Sequence, residues 1–86
     1  MRHRAIREFW ERYNALPPEV QRLADGVYEL LKADMRHPSL RVKKVGRYWS
    51  VRVGLHHRAL AIEDASDLVW IWIGHHGEYD RLTGGR

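Results

Sequence analysis

The spacing of apolar residues changes period once along this chain, and that change restricts the fold more than any other feature of the sequence. From Ile6, the apolar residues Phe9, Tyr13 and Leu16 recur at steps of three and four, with Arg7, Glu8, Glu11 and Arg12 between them. Such a stripe predicts a short amphipathic helix. Leu16-Pro17-Pro18 stops it. Pro18 suits the first turn of a second helix, where its missing N–H costs nothing, and Glu19 favours the positive end of the helix dipole. Val20, Leu23, Val27 and Leu30 or Leu31 carry the helical step on to about Asp34. Two helices joined by so short a turn are expected to pack antiparallel as a hairpin. Met35-Arg36-His37-Pro38 breaks the second, because the residue before a proline is pushed toward extended conformations.

After Pro38 the step is two. Leu40 and Val42 alternate with Arg41 and Lys43, and Trp49, Val51 and Val53 alternate with Tyr48, Ser50 and Arg52, so these segments are predicted strands. Gly46-Arg47 and Gly54 to His56 mark hairpin turns. Arg58 to Glu63 and Leu68 to Gly74 give two more strands, the latter apolar on both sides and so expected at the centre, with Glu63-Asp64-Ala65-Ser66-Asp67 as the polar turn between them. The predicted class is α+β: an N-terminal antiparallel helical hairpin packed on a four-stranded antiparallel sheet. Residues 1–86 form one domain in this reading, with Thr83-Gly84-Gly85-Arg86 as a frayed tail.

Charge narrows the partners. Fifteen Lys and Arg against eleven Asp and Glu give a net charge of +4. The distribution matters more than the total, because no acid stands between Asp34 and Glu63, while Arg36, Arg41, Lys43, Lys44, Arg47, Arg52 and Arg58 all lie there. A basic window carrying Tyr48 and Trp49 suits a polyanion such as nucleic acid, an acidic protein partner, or plain solvent. The absence of cysteine excludes a disulfide framework, a thiolate zinc site and a cysteine nucleophile, and fits a cytoplasmic protein. No apolar run is long enough to span a membrane, and Met1-Arg2-His3-Arg4 lacks the apolar stretch of a signal peptide.

Alternation sets Arg52 opposite Trp49, Val51 and Val53, so with the Trp side against the helices Arg52 faces outward. A meander brings Arg58 near it, although the direction of Arg58 is open. Two guanidiniums close together suit a bidentate phosphate clamp or an exposed pair on the sheet surface. The doublets His56-His57 and His75-His76 leave three readings open: nitrogen ligands for a metal with Glu78 or Asp80, proton transfer at a strand end, or solvated loop histidines. Tyr79 either stacks on a base, assists proton transfer or docks on the core.

Taken in order, Leu16-Pro17-Pro18-Glu19-Val20-Gln21, His37-Pro38-Ser39-Leu40, Trp49-Ser50-Val51-Arg52-Val53-Gly54, Arg58-Ala59-Leu60 and the run from Trp72 through Gly74-His75-His76-Gly77-Glu78-Tyr79 to Leu82 resemble the RelE/ParE superfamily of bacterial type II toxins. The resemblance covers nearly the whole chain. It implies a small α+β toxin, a metal-independent and ribosome-dependent mRNA endoribonuclease without cofactor, held inactive in a hetero-oligomer by a cognate antitoxin. Carried over position by position, Arg52 matches a catalytic basic residue, Arg58 a phosphate-binding arginine, His76 a general acid or base, and Tyr79 the C-terminal aromatic. Arg41, Lys43, Lys44, Arg47, His57 and His75 are expected RNA contacts. Two departures stand out: the superfamily's N-terminal strand is nearly absent in this reading, the helix starting by Ala5 or Ile6, and no glutamate is available as a base between Met35 and Ile62. A ParE-like gyrase inhibitor and a non-catalytic protein-binding module are the alternatives within the same superfamily.

Overall fold

The computed structural model describes residues 2–84. Five strands form one mixed sheet in the order β1-β5-β4-β3-β2, with β1 at His3–Ala5, β2 at Lys43–Val45, β3 at Tyr48–Val53, β4 at His57–Asp64 and β5 at Asp67–His75. Helices α1 (Arg7–Asn14) and α2 (Pro18–Ala33) lie on one face, and α3 (His76–Leu82) follows β5 directly. The expected four-stranded antiparallel sheet is therefore incomplete. β1 runs parallel to β5, pairing His3 with Leu68 and Ala5 with Trp70. Ile6 remains extended and donates its N–H to the Trp70 carbonyl at 3.1 Å, so the helix starts at Arg7 and the N-terminal strand exists after all. Three residues are too few to display a period of two. What holds them is tertiary: Arg4 reaches across to Asp64 at 2.7 Å and Asp67 at 3.0 Å, tying β1 to the β4–β5 turn.

The segment expected as a strand from Leu40 also differs. Pro38–Leu40 is a 3-10 turn, capped by the His37 ring, whose Nδ1 accepts from the Ser39 N–H at 3.2 Å. Leu40 is thereby drawn wholly into the core, Arg41 takes a left-handed φ of 50°, and pairing begins only at Lys43. Burial of one leucine, worth about 1.5 to 3 kcal/mol, outweighs continuing the alternation by three residues.

The helices adjoin at their turn, where the Tyr13 hydroxyl donates to Asp25 at 2.7 Å and the Gln21 side chain donates to the Tyr13 carbonyl at 2.9 Å. Beyond it they do not close on each other as a simple hairpin. α1 rests on β5 and α2 on β3, leaving an apolar cavity of about 190 Å³ over Val51, Val53, Ala59 and Ile73. The main core lies here, with Val20 and Leu31 of α2 meeting Val51, Val53, Leu68, Trp70 and Ile73 of the sheet.

β5 is interior but not central; β4 holds the middle position. A bulge opposite Leu60 and Ala61 pairs Leu60 with Trp72 and Ala61 with Trp70, so Ile71 is the extra residue. The bulge reverses the alternation. Trp70 joins the main core, whereas Trp72 points to the opposite face and packs with Leu60 and Tyr79.

That second cluster depends on α3, where the sequence suggested only a loop and a tail. Gly77 and a length of seven residues make it a weak helix on propensity alone. Three contacts compensate: the His75 ring caps it, with Nδ1 accepting from the Gly77 N–H at 3.1 Å; Tyr79 is buried on the sheet; and the Thr83 hydroxyl donates to the Tyr79 carbonyl at 2.9 Å. Thr83 thus closes a helix, while Gly85 and Arg86 of the expected tail lie outside the described residues. Among the described residues no helix is long and apolar enough to cross a membrane.

Candidate functional site

Strand pairing settles the direction of Arg58. Arg52 of β3 stands directly opposite Arg58 of β4, and Arg58 opposite Gly74 of β5, so the two guanidiniums leave the same face, away from α1 and α2. Directly opposed residues in such a pair have Cα atoms about 5 Å apart. Like charges at that distance repel, and here each is steadied by a backbone carbonyl: Arg52 Nε donates to Gly54 at 3.0 Å and Arg58 Nη1 to His57 at 2.9 Å. Among the described residues neither meets a carboxylate within salt-bridge distance. Two half-buried guanidiniums with donors to spare offer the bidentate geometry that suits a phosphate-like anion.

Gly74 gives this spot its shape. A Cβ at that position would stand 2.7 Å from the Trp72 ring, so the indole lies against the bare backbone beside Arg58. Arg12 of α1 covers the same indole at 5.4 Å from its centroid and reaches Glu78 of α3 at 3.4 Å, bridging the two helices alongside the part of β5 that extends beyond its pairing with β1.

Two residues past Gly74, His76 opens α3 with its N–H on the His56 carbonyl at 2.8 Å. That bond joins the β3–β4 turn to the end of β5 and gathers four imidazoles at one corner of the sheet. The His75 and His76 rings stack at 4.4 Å, His56 lies 6.2 Å from each, and His57 meets His75 edge-on at 5.6 Å. Burial, then the charges of His75, His56 and His76, pull the His57 imidazole below the usual histidine range. Arg52, Arg58 and His76 therefore occupy the same end of the sheet. The second histidine of each doublet belongs to the same cluster, which alternation along separate strands gave no means of foreseeing. His56 was considered with its doublet but not counted among the expected catalytic or RNA-contacting residues; its signal was the presence of two doublets at hairpin-related strand ends.

Tyr79 does not join the acid–base group in this arrangement. The residue is 4% exposed, and its hydroxyl is buried without a partner among the described residues, as is Trp72 Nε1. The expected RNA contacts divide. Lys43 pairs with Ser50 and shares the face of Arg52, and Arg47 in the β2–β3 turn lies 5.5 Å over the Tyr48 ring on that same face. Lys44 points the other way, 3.6 Å from Glu63 and 4.8 Å over Trp49, whose indole N–H donates to the same carboxylate at 2.6 Å. The window without acids in sequence is thus not without acids in space. Arg41 lines a separate depression with Met35, His37 and Trp49. His57 belongs to the row of Val53 and His75, and His75 is engaged as the helix cap.

The chain is similar to known proteins at two levels. No curated protein sequence matches it. Among solved structures, it is similar to a RelB–RelE antitoxin–toxin complex from Methanococcus jannaschii, with a TM-score of 0.73 and 13% identity over 92% of this chain and 96% of that one. A YoeB/ParE toxin from Agrobacterium tumefaciens gives 0.68 and 15% over 88% and 99%, and the toxin–antitoxin complex RelBE2 from Mycobacterium tuberculosis 0.62 and 23% over 86% and 95%. At such identities these establish the fold. The ParE-like toxin domain matches residues 18–81, from the start of α2 almost to the end of α3. With three-quarters of its length accounted for in this way, the chain belongs to the ParE-like toxin family, within the RelE/ParE superfamily.

Proposed function

We propose that this toxin is an mRNA endoribonuclease acting by transphosphorylation on ribosome-bound message. The observation that carries the reading is the direct opposition of Arg52 and Arg58 on one sheet face, with no carboxylate partner among the described residues, at the corner that holds His76. RNA brings its own nucleophile. The 2′-oxygen loses its proton and attacks the adjacent phosphorus, the bond to the 5′-oxygen breaks, and that oxygen leaves with a proton, giving a 2′,3′-cyclic phosphate. His76 transfers a proton, a role worth roughly a hundred- to ten-thousandfold. Arg52 and Arg58 hold the developing dianion, at about 3 kcal/mol each if they act as oxyanion donors do. Lys43 and Arg47 follow the RNA backbone along the same face. Tyr79 is left out of the chemistry and docks α3.

The antitoxin complexes among the similar structures support a cognate antitoxin as the natural partner. An acidic, amphipathic segment folding on contact suits the basic face. Primer extension on mRNA from cells expressing the protein tests the reading: new 5′ ends are expected, and Arg52→Ala, Arg58→Ala and His76→Ala should each reduce them about a hundredfold or more with melting temperature nearly kept. Growth arrest with intact messages overturns it. The ParE-like family match favours one second reading, inhibition of gyrase, which needs no acid or base. Loss of supercoiling by gyrase, with His76→Ala still toxic, would select it.

A further inference from the structure

We propose that His56, His75 and His76 form a binding site for one divalent transition-metal ion of the zinc or copper class. Each ring offers a nitrogen, and the three nitrogens lie within 4.8 Å of one another. Nitrogens bound tetrahedrally at about 2.0 to 2.1 Å from zinc stand roughly 3.3 Å apart. Small rotations of His56 and His75, both exposed, cover the difference. The two segments that carry the ligands are already joined by the His76 N–H bond to the His56 carbonyl, so the ion need not assemble the site from separate parts. Three imidazoles without a carboxylate in the set select a borderline ion over calcium or magnesium, which require oxygen ligands. Glu78, the nearest acid in sequence, is turned toward Arg12. Exposure of two of the three rings leaves a coordination position to water, as in an exchangeable site.

Loading has a structural consequence. The His75 Nδ1 that caps α3 accepts a hydrogen bond from the Gly77 N–H. An ion at Nδ1 displaces that bond directly. An ion at Nε2 forces the ring proton onto Nδ1, which then can no longer accept. Either way the ion and the cap exclude each other. Loading also occupies His76, so the ion should switch off RNA cleavage; this consequence, unlike the site itself, rests on the function proposed above.

Calorimetric titration of the untagged chain with zinc chloride tests the site, with cobalt(II) visible spectra as a second reading. Micromolar binding of one equivalent and tetrahedral cobalt bands are expected, with affinity at least tenfold weaker in His56→Ala and unchanged in His37→Ala. The Gly77 amide should exchange faster with the ion bound. No binding, or equal binding by His56→Ala, overturns the site; an unaltered Gly77 amide removes His75 from it. In cleavage assays zinc should inhibit the wild type and spare His56→Ala, whereas equal inhibition of both overturns the switch. If the metal-free wild type cleaves no RNA, the proposed function fails, and the titration alone still decides the site.

Discussion

Under α1 and α2 the sheet buries Val51, Val53, Leu68, Trp70 and Ile73 among apolar neighbours, and the indole N–H of Trp70 finds a partner in His3 Nδ1 at 3.0 Å. On the opposite face Leu60, Trp72 and Tyr79 form a smaller cluster in which Trp72 Nε1 and the Tyr79 hydroxyl are both buried without a partner among the described residues, beside two arginines that face each other. A buried polar group without a partner costs about 1 to 3 kcal/mol. One face is therefore satisfied and holds the fold, while the other sets two buried, unpartnered polar atoms beside two arginines that meet no carboxylate among the described residues.

The largest test of that contrast is Trp70→Ala, expected to cost about 3 to 5 kcal/mol and, in a domain this small, to unfold most of the protein. Retention of a sharp melting transition near that of the wild type would show that the main core is not where stability resides. Gly74→Ala comes next. Its Cβ meets the Trp72 ring at 2.7 Å, so the indole must shift, at about 1 to 3 kcal/mol, and phosphate or RNA binding at Arg58 should weaken with it. An unchanged affinity in a folded variant would separate the indole from the anion site. Tyr79→Phe removes an unsatisfied hydroxyl and should leave stability level or raise it by about 1 kcal/mol, with RNA cleavage kept. Lost cleavage at full stability would return Tyr79 to the chemistry.

The smallest effect concerns acid. Burial lowers the His3 pKa from its ordinary 6.5. His3 is stacked on Trp70 of β5 and edge-on to Tyr28 of α2, so its charged form is disfavoured by the fold. Below pH 6.5 the unfolded chain binds more protons than the folded one. This contribution is full above that pH and declines as pH falls through it. Melting temperatures at pH 7.5 and 5.5 should differ less for His3→Gln than for the wild type. An identical difference would place the acid sensitivity elsewhere.

Part of the candidate site's geometry was legible because strand alternation is local. It put Arg52 away from Trp49, Val51 and Val53, and the structure has it there. Arg58 was undecided because its direction depends on register with β3, which a turn of ambiguous length does not specify. Tyr79 was read as a catalytic match, whereas its burial follows from α3, a helix whose seven residues give little periodicity to read. Lys44 looked free because its partner Glu63 comes from the next strand of the sheet but one, nineteen positions along the chain.

Local chemistry in the chain was enough to dictate two helices, the hairpin strands after Pro38 and a cationic stretch, since periodicity, proline and charge act on neighbours a few residues apart. Only packing in three dimensions decided the parallel N-terminal strand, the bulge that sends Trp70 and Trp72 to opposite faces, and the meeting of four histidines. Those features depend on contacts between residues tens of positions apart, whose energies no short window of sequence contains.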